Sequence, residues 1–323
     1  MDVAAFCRQS RVLVVAGKGG VGKTTVTAAL ARMASSAGLK VLVVELEGKP
    51  GVPAAFGHEG TLDYVDMALS PDGMVRARRI TPDEALVEYL GDHGMKRISK
   101  RLVSSGALDV VATAIPGIRD ILVLGKVKQL ERDDAADLIL VDAPATGHAM
   151  TFLSSARGLM DAARSGPVRA QAVEVVELLS DPKRCQVALV TLPEEMPVNE
   201  VVETAYQLED RIGISLGPVI VNGCLREEPL LEVDPLEAAA QAGAEVGSET
   251  AAALGKAAAF RLHRYRLQDE QRARLARELP LPQLVAPFLF SPRIGPEELA
   301  RLGDELASEV RCLDDPRPEG PDA

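Results

Sequence analysis

Cysteine is scarce in this chain and poorly placed for ligation. Its four cysteines, Cys7, Cys185, Cys224 and Cys312, stand far apart with no CxxC pair, so neither a zinc site nor a disulfide framework is written here. That usage fits a reducing, cytoplasmic setting. Histidine is equally sparse, and His58, His93, His148 and His263 show no metal-ligand spacing, which argues against a histidine-built metal cluster. No apolar run reaches the ~18 residues that span a bilayer, and the N-terminus lacks a signal-peptide pattern. Direct membrane insertion is therefore not expected, and any membrane role passes through a partner. Basic charge is in deficit too, with 36 Lys and Arg against 47 Asp and Glu for a net charge of −11. This argues against a general nucleic-acid-binding surface and leaves only a local basic patch open.

What the chain does have is the string KGGVGKTT at residues 18–25, directly after the apolar run Val12-Leu13-Val14-Val15-Ala16 and directly before a helical pattern. A strand, a glycine-rich turn and a helix in that order form a phosphate-binding loop. Gly19, Gly20 and Gly22, with Val21 between them, let backbone N–H groups approach phosphate oxygens closely. Lys23 supplies a point charge to the β- and γ-phosphates, the hydroxyl of Thr24 is placed for Mg²⁺, and Thr25 continues into the helix. The positive end of that helix adds to the cradle. ATP with Mg²⁺ is the expected cofactor pair. Lys18 is a second cation that an ordinary phosphate loop has no reason to carry.

The 323 residues suffice for one large α/β domain or two smaller ones. Short β-branched runs recur at 11–16, 40–44, 138–141, 187–191 and 219–221, each continuous in hydrophobicity as in strands covered on both faces. Between them lie helical patterns. After the loop, Val26, Ala29, Leu30 and Met33 form one apolar stripe, and Gly38 sits where that helix stops. The fold class expected is α/β, a doubly wound and mostly parallel sheet of the P-loop NTPase type, with ligands at the carboxyl ends of the strands. Residues 1–312 read as one domain carrying an inserted helical subdomain at about 53–137 and 150–180. No strand is evident in the first of those insertions. Residues 313–323 read as an acidic, Pro-rich tail without fixed structure. The insertions either bury a core of their own or offer a groove to an apolar client, a use that Met67, Met74, Met95, Met150 and Met160 would suit as well as they suit a core.

The remaining chemistry falls at strand ends. Glu45 and Glu47 flank the end of the second strand, and at most one is expected to face a γ-phosphate. Asp142 ends the run Leu138-Ile139-Leu140-Val141 and is placed to hold Mg²⁺ directly or through water.

These segments carry a resemblance. KGGVGKTT, VDAPATGHAM around Asp142, VTLPEEMPVNE at 190–200 and VIVNG at 219–223 together resemble the family of arsenical pump-driving and tail-anchored-protein-targeting ATPases, in order from about residue 11 to 294. The resemblance implies an ATPase acting as a dimer, either a homodimer or a heterodimer with a paralogous chain. In it Lys18 reaches the partner's nucleotide, Glu47 stands in the place of the water-positioning acid of the first switch, and Asp142 to His148 form the second switch. Asn222 matches a residue reading the adenine edge, for which a carboxamide has the right donor and acceptor. Pro287 opens a loop that closes over the base.

The chain departs from that family in places. Glu47-Gly48-Lys49 replaces an Asp-led DPA-like sequence, and a misplacement on the order of 1 Å can cost ~100-fold in rate, so slow hydrolysis is expected. A dimer-stapling CxxC is missing, and no cysteine falls between residues 53 and 179, which makes arsenite extrusion a minor reading. Chromosome-partition and septum-placement ATPases share the two-lysine loop, but the charge balance and the acidic tail fit neither. The function expected is an ATP-hydrolysing switch whose nucleotide state controls a helical subdomain acting on a hydrophobic or membrane-protein client. The alternative is a nucleotide-dependent scaffold with vestigial hydrolysis.

Overall fold

The computed structural model describes residues 1–46, 51–92 and 117–314. After a short helix α1 (Val3–Cys7), the chain enters β1 (Val12–Gly17) and turns through the glycine-rich loop into α2 (Lys23–Ser36). Next come β2 (Val41–Glu45), α3 (Gly51–Ala55), β3 (Met67–Ala68), β4 (Val75–Arg79) and α4 (Pro82–Asp92). Helix α5 (Ile118–Arg132) feeds β5 (Leu138–Ala145), which α6 (Thr146–Ala162) and α7 (Pro167–Ser180) follow. The last part holds β6 (Cys185–Thr191), α8 (Glu195–Gln207), β7 (Leu216–Cys224), α9 (Pro235–Gln241), the long α10 (Ser248–Glu278), β8 (Gln283–Pro287) and α11 (Pro296–Cys312).

The eight strands form one sheet in the order β3-β4-β2-β5-β1-β6-β7-β8. Every pairing is parallel except that of β3 with β4. From β1 the chain moves first to one side of the sheet and later to the other, so the order reverses beside β1. The crevice above the carboxyl ends of β1 and β5 is where this architecture binds ligands.

The central strands are apolar throughout because both faces are covered. Alternate residues go to opposite cores. Val12 and Val14 face the layer containing α5, α6 and α7, while Leu13 and Val15 face α2 and α11. The stripe foreseen on α2 is buried, with Val26, Ala29, Leu30 and Met33 all nearly inaccessible, and Gly38 follows the helix with φ 84°.

Two expectations are corrected. The stretch 53–137 is not helical alone. Strands β3 and β4 lie inside it, and β4 joins the main sheet beside β2 in parallel register, Val41 with Val75 through Glu45 with Arg79. Its sequence, Val75-Arg76-Ala77-Arg78-Arg79, alternates apolar and cationic residues, so the signal was period two. The arginines find partners instead of water: Arg76 and Arg78 both bind Asp66, at 2.8 and 2.5 Å. The described helices of the insertions also do not bury a separate core. Ile121, Leu124, Phe152 and Leu153 belong to one apolar cluster with Val12, Val14 and Ile139 of the sheet. Met150 and Met160 pack against that same cluster and Met67 against the other; Met95 lies outside the described residues. Among the described residues no helix is long and apolar enough to cross a membrane.

Candidate functional site

The loop between β1 and α2 owes its shape to glycine. Gly22 has φ 89°, and a Cβ there would lie 2.3 Å from Nδ2 of Asn222. Both facts require glycine, because left-handed backbone strains other residues and the carboxamide leaves no room. That carboxamide donates from Nδ2 to the carbonyl of Val21 at 2.9 Å, bracing the loop from β7. The side chain of Val21 is buried in the core beside α2, so its role in the cradle is to anchor it. Helix α2 begins at Lys23 with no side-chain cap. Its first-turn N–H groups therefore face the crevice, and with the helix dipole they make a site for an anion.

A cavity of about 290 Å³ opens there. On one side stand Gly19, Gly20, Gly22, Lys23, Thr24 and Thr25, and on the other Glu45, Asp142, Ala143 and Ala145. The Thr24 hydroxyl donates to Oδ2 of Asp142 at 2.7 Å, and the Thr27 hydroxyl to Oδ1 at 3.4 Å. Nζ of Lys23 donates to the carbonyl of Lys18 at 3.1 Å, lying back over its own loop.

Of the two acids expected at the end of the second strand, Glu45 is the one that the described residues bring into the cavity. It ends β2 opposite Asp142 in register, is nearly inaccessible and lines the cavity. Its Oε1 accepts a long bond from the Val52 N–H at 3.4 Å, while its Oε2 is buried without a hydrogen-bond partner among the described residues. Desolvation pushes its carboxyl up to about 7, the Val52 N–H works against this, the Asp142 charge adds to it, and Arg79 works against it. Strand parity carried the signal. Val41, Val43 and Glu45 share the face that α2 covers.

The other expected residues are placed less centrally. Lys18 is held in an ion pair with Glu200 of α8, both side chains partly exposed. Asn222 touches the loop from beneath. Pro287 ends β8 at the same carboxyl edge of the sheet, in register with Cys224, and does not line the cavity. Glu47 lies outside the described residues, as do the side chains of Thr146 and His148 in the expected second switch. A larger cavity, about 540 Å³, lies between α4, α5 and α7. Its buried cations are already neutralised, Lys126 by Glu88 at 2.7 Å and Lys128 by Glu174 at 2.5 Å.

Comparison with known proteins bears on what this geometry serves. A family model described as an anion-transporting ATPase matches residues 10–165 and 161–246, more than half of the chain. The chain belongs to the anion-transporting ATPase family. Among its relatives, ATPase BagA of Mycobacterium tuberculosis is 36% identical over 250 residues, covering 74% of this chain and 72% of that protein. A putative arsenical pump-driving ATPase of Halobacterium salinarum is 30% identical over 243 residues, 68% of this chain but 36% of the relative. ATPase get3 of Schizosaccharomyces japonicus is 30% identical over 143 residues, covering 44% of this chain and 43% of get3. This family of ATPases accounts for the doubly wound sheet and for the loop at the mouth of β1.

Proposed function

We propose that the chain binds ATP with Mg²⁺ at residues 18–25 and hydrolyses it slowly, as a two-subunit switch whose nucleotide state acts on a client through the helices α4 to α7. The observation that carries this reading is the Thr24–Asp142 bond of 2.7 Å, set in the cavity beside the uncapped start of α2. A hydroxyl and a carboxylate joined at that spot suit Mg²⁺, which is commonly held by one or two protein oxygens together with phosphate oxygens. When bound, the ion neutralises charge that develops on the phosphates.

The residues then divide the work. Gly19, Gly20 and Gly22 admit the phosphates to the backbone N–H groups, and Lys23 leaves the Lys18 carbonyl for a phosphate oxygen, a stronger charge-assisted partner. Thr24 and Asp142 hold the ion or its water. Glu47 orients the attacking water; Asn222, with one amide N–H and its oxygen beyond the bond to Val21, reads the base, and Pro287 starts the loop over it. Lys18 crosses to the nucleotide of a second subunit. Its pair with Glu200 is partly solvated, and such pairs contribute ~0–1 kcal/mol, so releasing it costs little.

The relatives' printed activities, arsenical pump driving among them, extend to this chain only where its residues can support them. Arsenite binding asks for clustered thiolates, and residues 53–179 contain no cysteine, so a protein client fits better than arsenite. The departure at Glu47 favours one alternative, a scaffold that binds ATP without turning it over. Single-turnover hydrolysis measured beside light scattering separates the two. The switch predicts phosphate release that Glu47→Gln slows at least ~10-fold, with ATP-dependent dimerisation. Dimerisation without turnover would establish the scaffold, and a Glu47→Gln rate equal to wild type would remove Glu47 from the mechanism.

A further inference from the structure

The second carboxylate in the phosphate cavity has no explanation in the roles assigned so far. Glu45 and Asp142 occupy matching positions on adjacent parallel strands, where backbones run about 4.8 Å apart, and both line one cavity. Like charges so placed repel. Burying a carboxylate oxygen with no donor is also costly. Yet among the described residues Oε2 of Glu45 has no hydrogen-bond partner, and neither does Nε of Arg79, the cation at the matching register of β4. Arg79, on the side away from Asp142, thus gives Oε2 no hydrogen bond, although its charge acts on Glu45. Glu45 lines the cavity that Thr24 and Asp142 also line.

We propose that Glu45 is a third acidic or hydroxyl group of the Mg²⁺ site, its Oε2 accepting a hydrogen bond from water bound to the ion. This rests on the reading of the cavity as a Mg²⁺–ATP site and extends it to a residue outside the loop and the switch segments. A cation held in this cavity would lessen their repulsion, and water bound to it would supply the donor that Oε2 lacks. Helix α3 supports the arrangement: its Val52 N–H holds Oε1, which leaves Oε2 turned to the other side. Glu45 is thus a positioning residue for the ion, with no bond made or broken at its carboxyl.

The test is Mn²⁺ binding to the full chain at saturating ATPγS, followed by the EPR signal of free Mn²⁺, with affinity for a fluorescent ATP analogue measured separately in EDTA. Glu45→Gln keeps shape and removes charge. It is expected to weaken Mn²⁺ at least ~10-fold, the range seen when groups behind a metal's ligands are lost, and to leave nucleotide affinity in EDTA unchanged. Unchanged Mn²⁺ affinity would overturn the proposal and leave Glu45 a buried neutral acid. If Glu45→Gln does not fold, Glu45→Asp decides: selective loss of Mn²⁺ affinity supports the role, and wild-type affinity overturns it. Wild-type protein that binds no nucleotide even in EDTA would instead refute the underlying Mg²⁺–ATP reading.

Discussion

At the scale of residues, the chain separates groups kept from reacting from groups placed to act. Cys7, Cys185 and Cys224 are buried thiols, and desolvation pushes them up to about 12, 12 and 11. At pH 8 about one molecule in a thousand or fewer carries the reactive thiolate at each of these positions. Cys312 is exposed. Maleimide added to native protein is therefore expected to modify Cys312 alone, with the other three reacting only in denaturant; rapid labelling of three or four sites, read by intact mass, would contradict this burial. Glu45 and Asp142 line one cavity but differ in how far sequence revealed them. Asp142 was legible in sequence as an acid at the end of an apolar strand beyond a phosphate loop. Glu45 was visible too, but resemblance drew attention two residues on to Glu47. Sequence could not show that Oε2 of Glu45 is buried without a hydrogen-bond partner among the described residues, or that Glu45 lines the same cavity.

At the scale of elements, the loop and α2 behave as one device. Sequence already showed its glycines, its lysines and the stripe of Val26, Ala29, Leu30 and Met33, because those signals are local. It could not show that Asn222, distant in the chain, would brace Val21, since nothing local marks a contact between β7 and the loop. This coupling has a measurable consequence. Gly22→Ala meets both left-handed backbone, costing roughly 1–2 kcal/mol, and a Cβ position 2.3 Å from Asn222 Nδ2. It is expected to lower stability in urea denaturation by at least that amount. Adding Asn222→Ala removes the collision but not the backbone strain, so the double variant should recover only part of the loss. Full recovery would mean that sterics alone made glycine necessary. Strand β4 illustrates a different limit of sequence reading. Arg76, Arg78 and Arg79 made the segment look unlike a strand, although the first two share the Asp66 carboxylate in the folded chain.

At the scale of the whole molecule, the sheet places everything the account needs at one edge. The crossing from β1 to β2 and later from β5 to β6 opens a crevice beside β1, and the apolar runs in sequence were enough to foresee that class of fold. Strand order was not readable, because hydrophobicity records burial and not neighbours. The long α10 contributes little to the core, with Ala251, Gln268 and Leu275 its buried residues; several of its arginines pair with nearby carboxylates, such as Arg261 with Glu228 at 2.9 Å and Arg274 with Glu278 at 2.8 Å. The function rests on the crevice, and so does the most direct test. The central claim is that residues 18–25 bind ATP through the charge of Lys23. An ATP-binding isotherm with Mg²⁺, taken for wild type and Lys23→Ala after both are shown to be folded, examines it directly. The account predicts saturable one-to-one binding by wild type and a loss of at least ~100-fold in affinity, about 2.7 kcal/mol, in the variant. Equal affinities, or no binding by either, would contradict it.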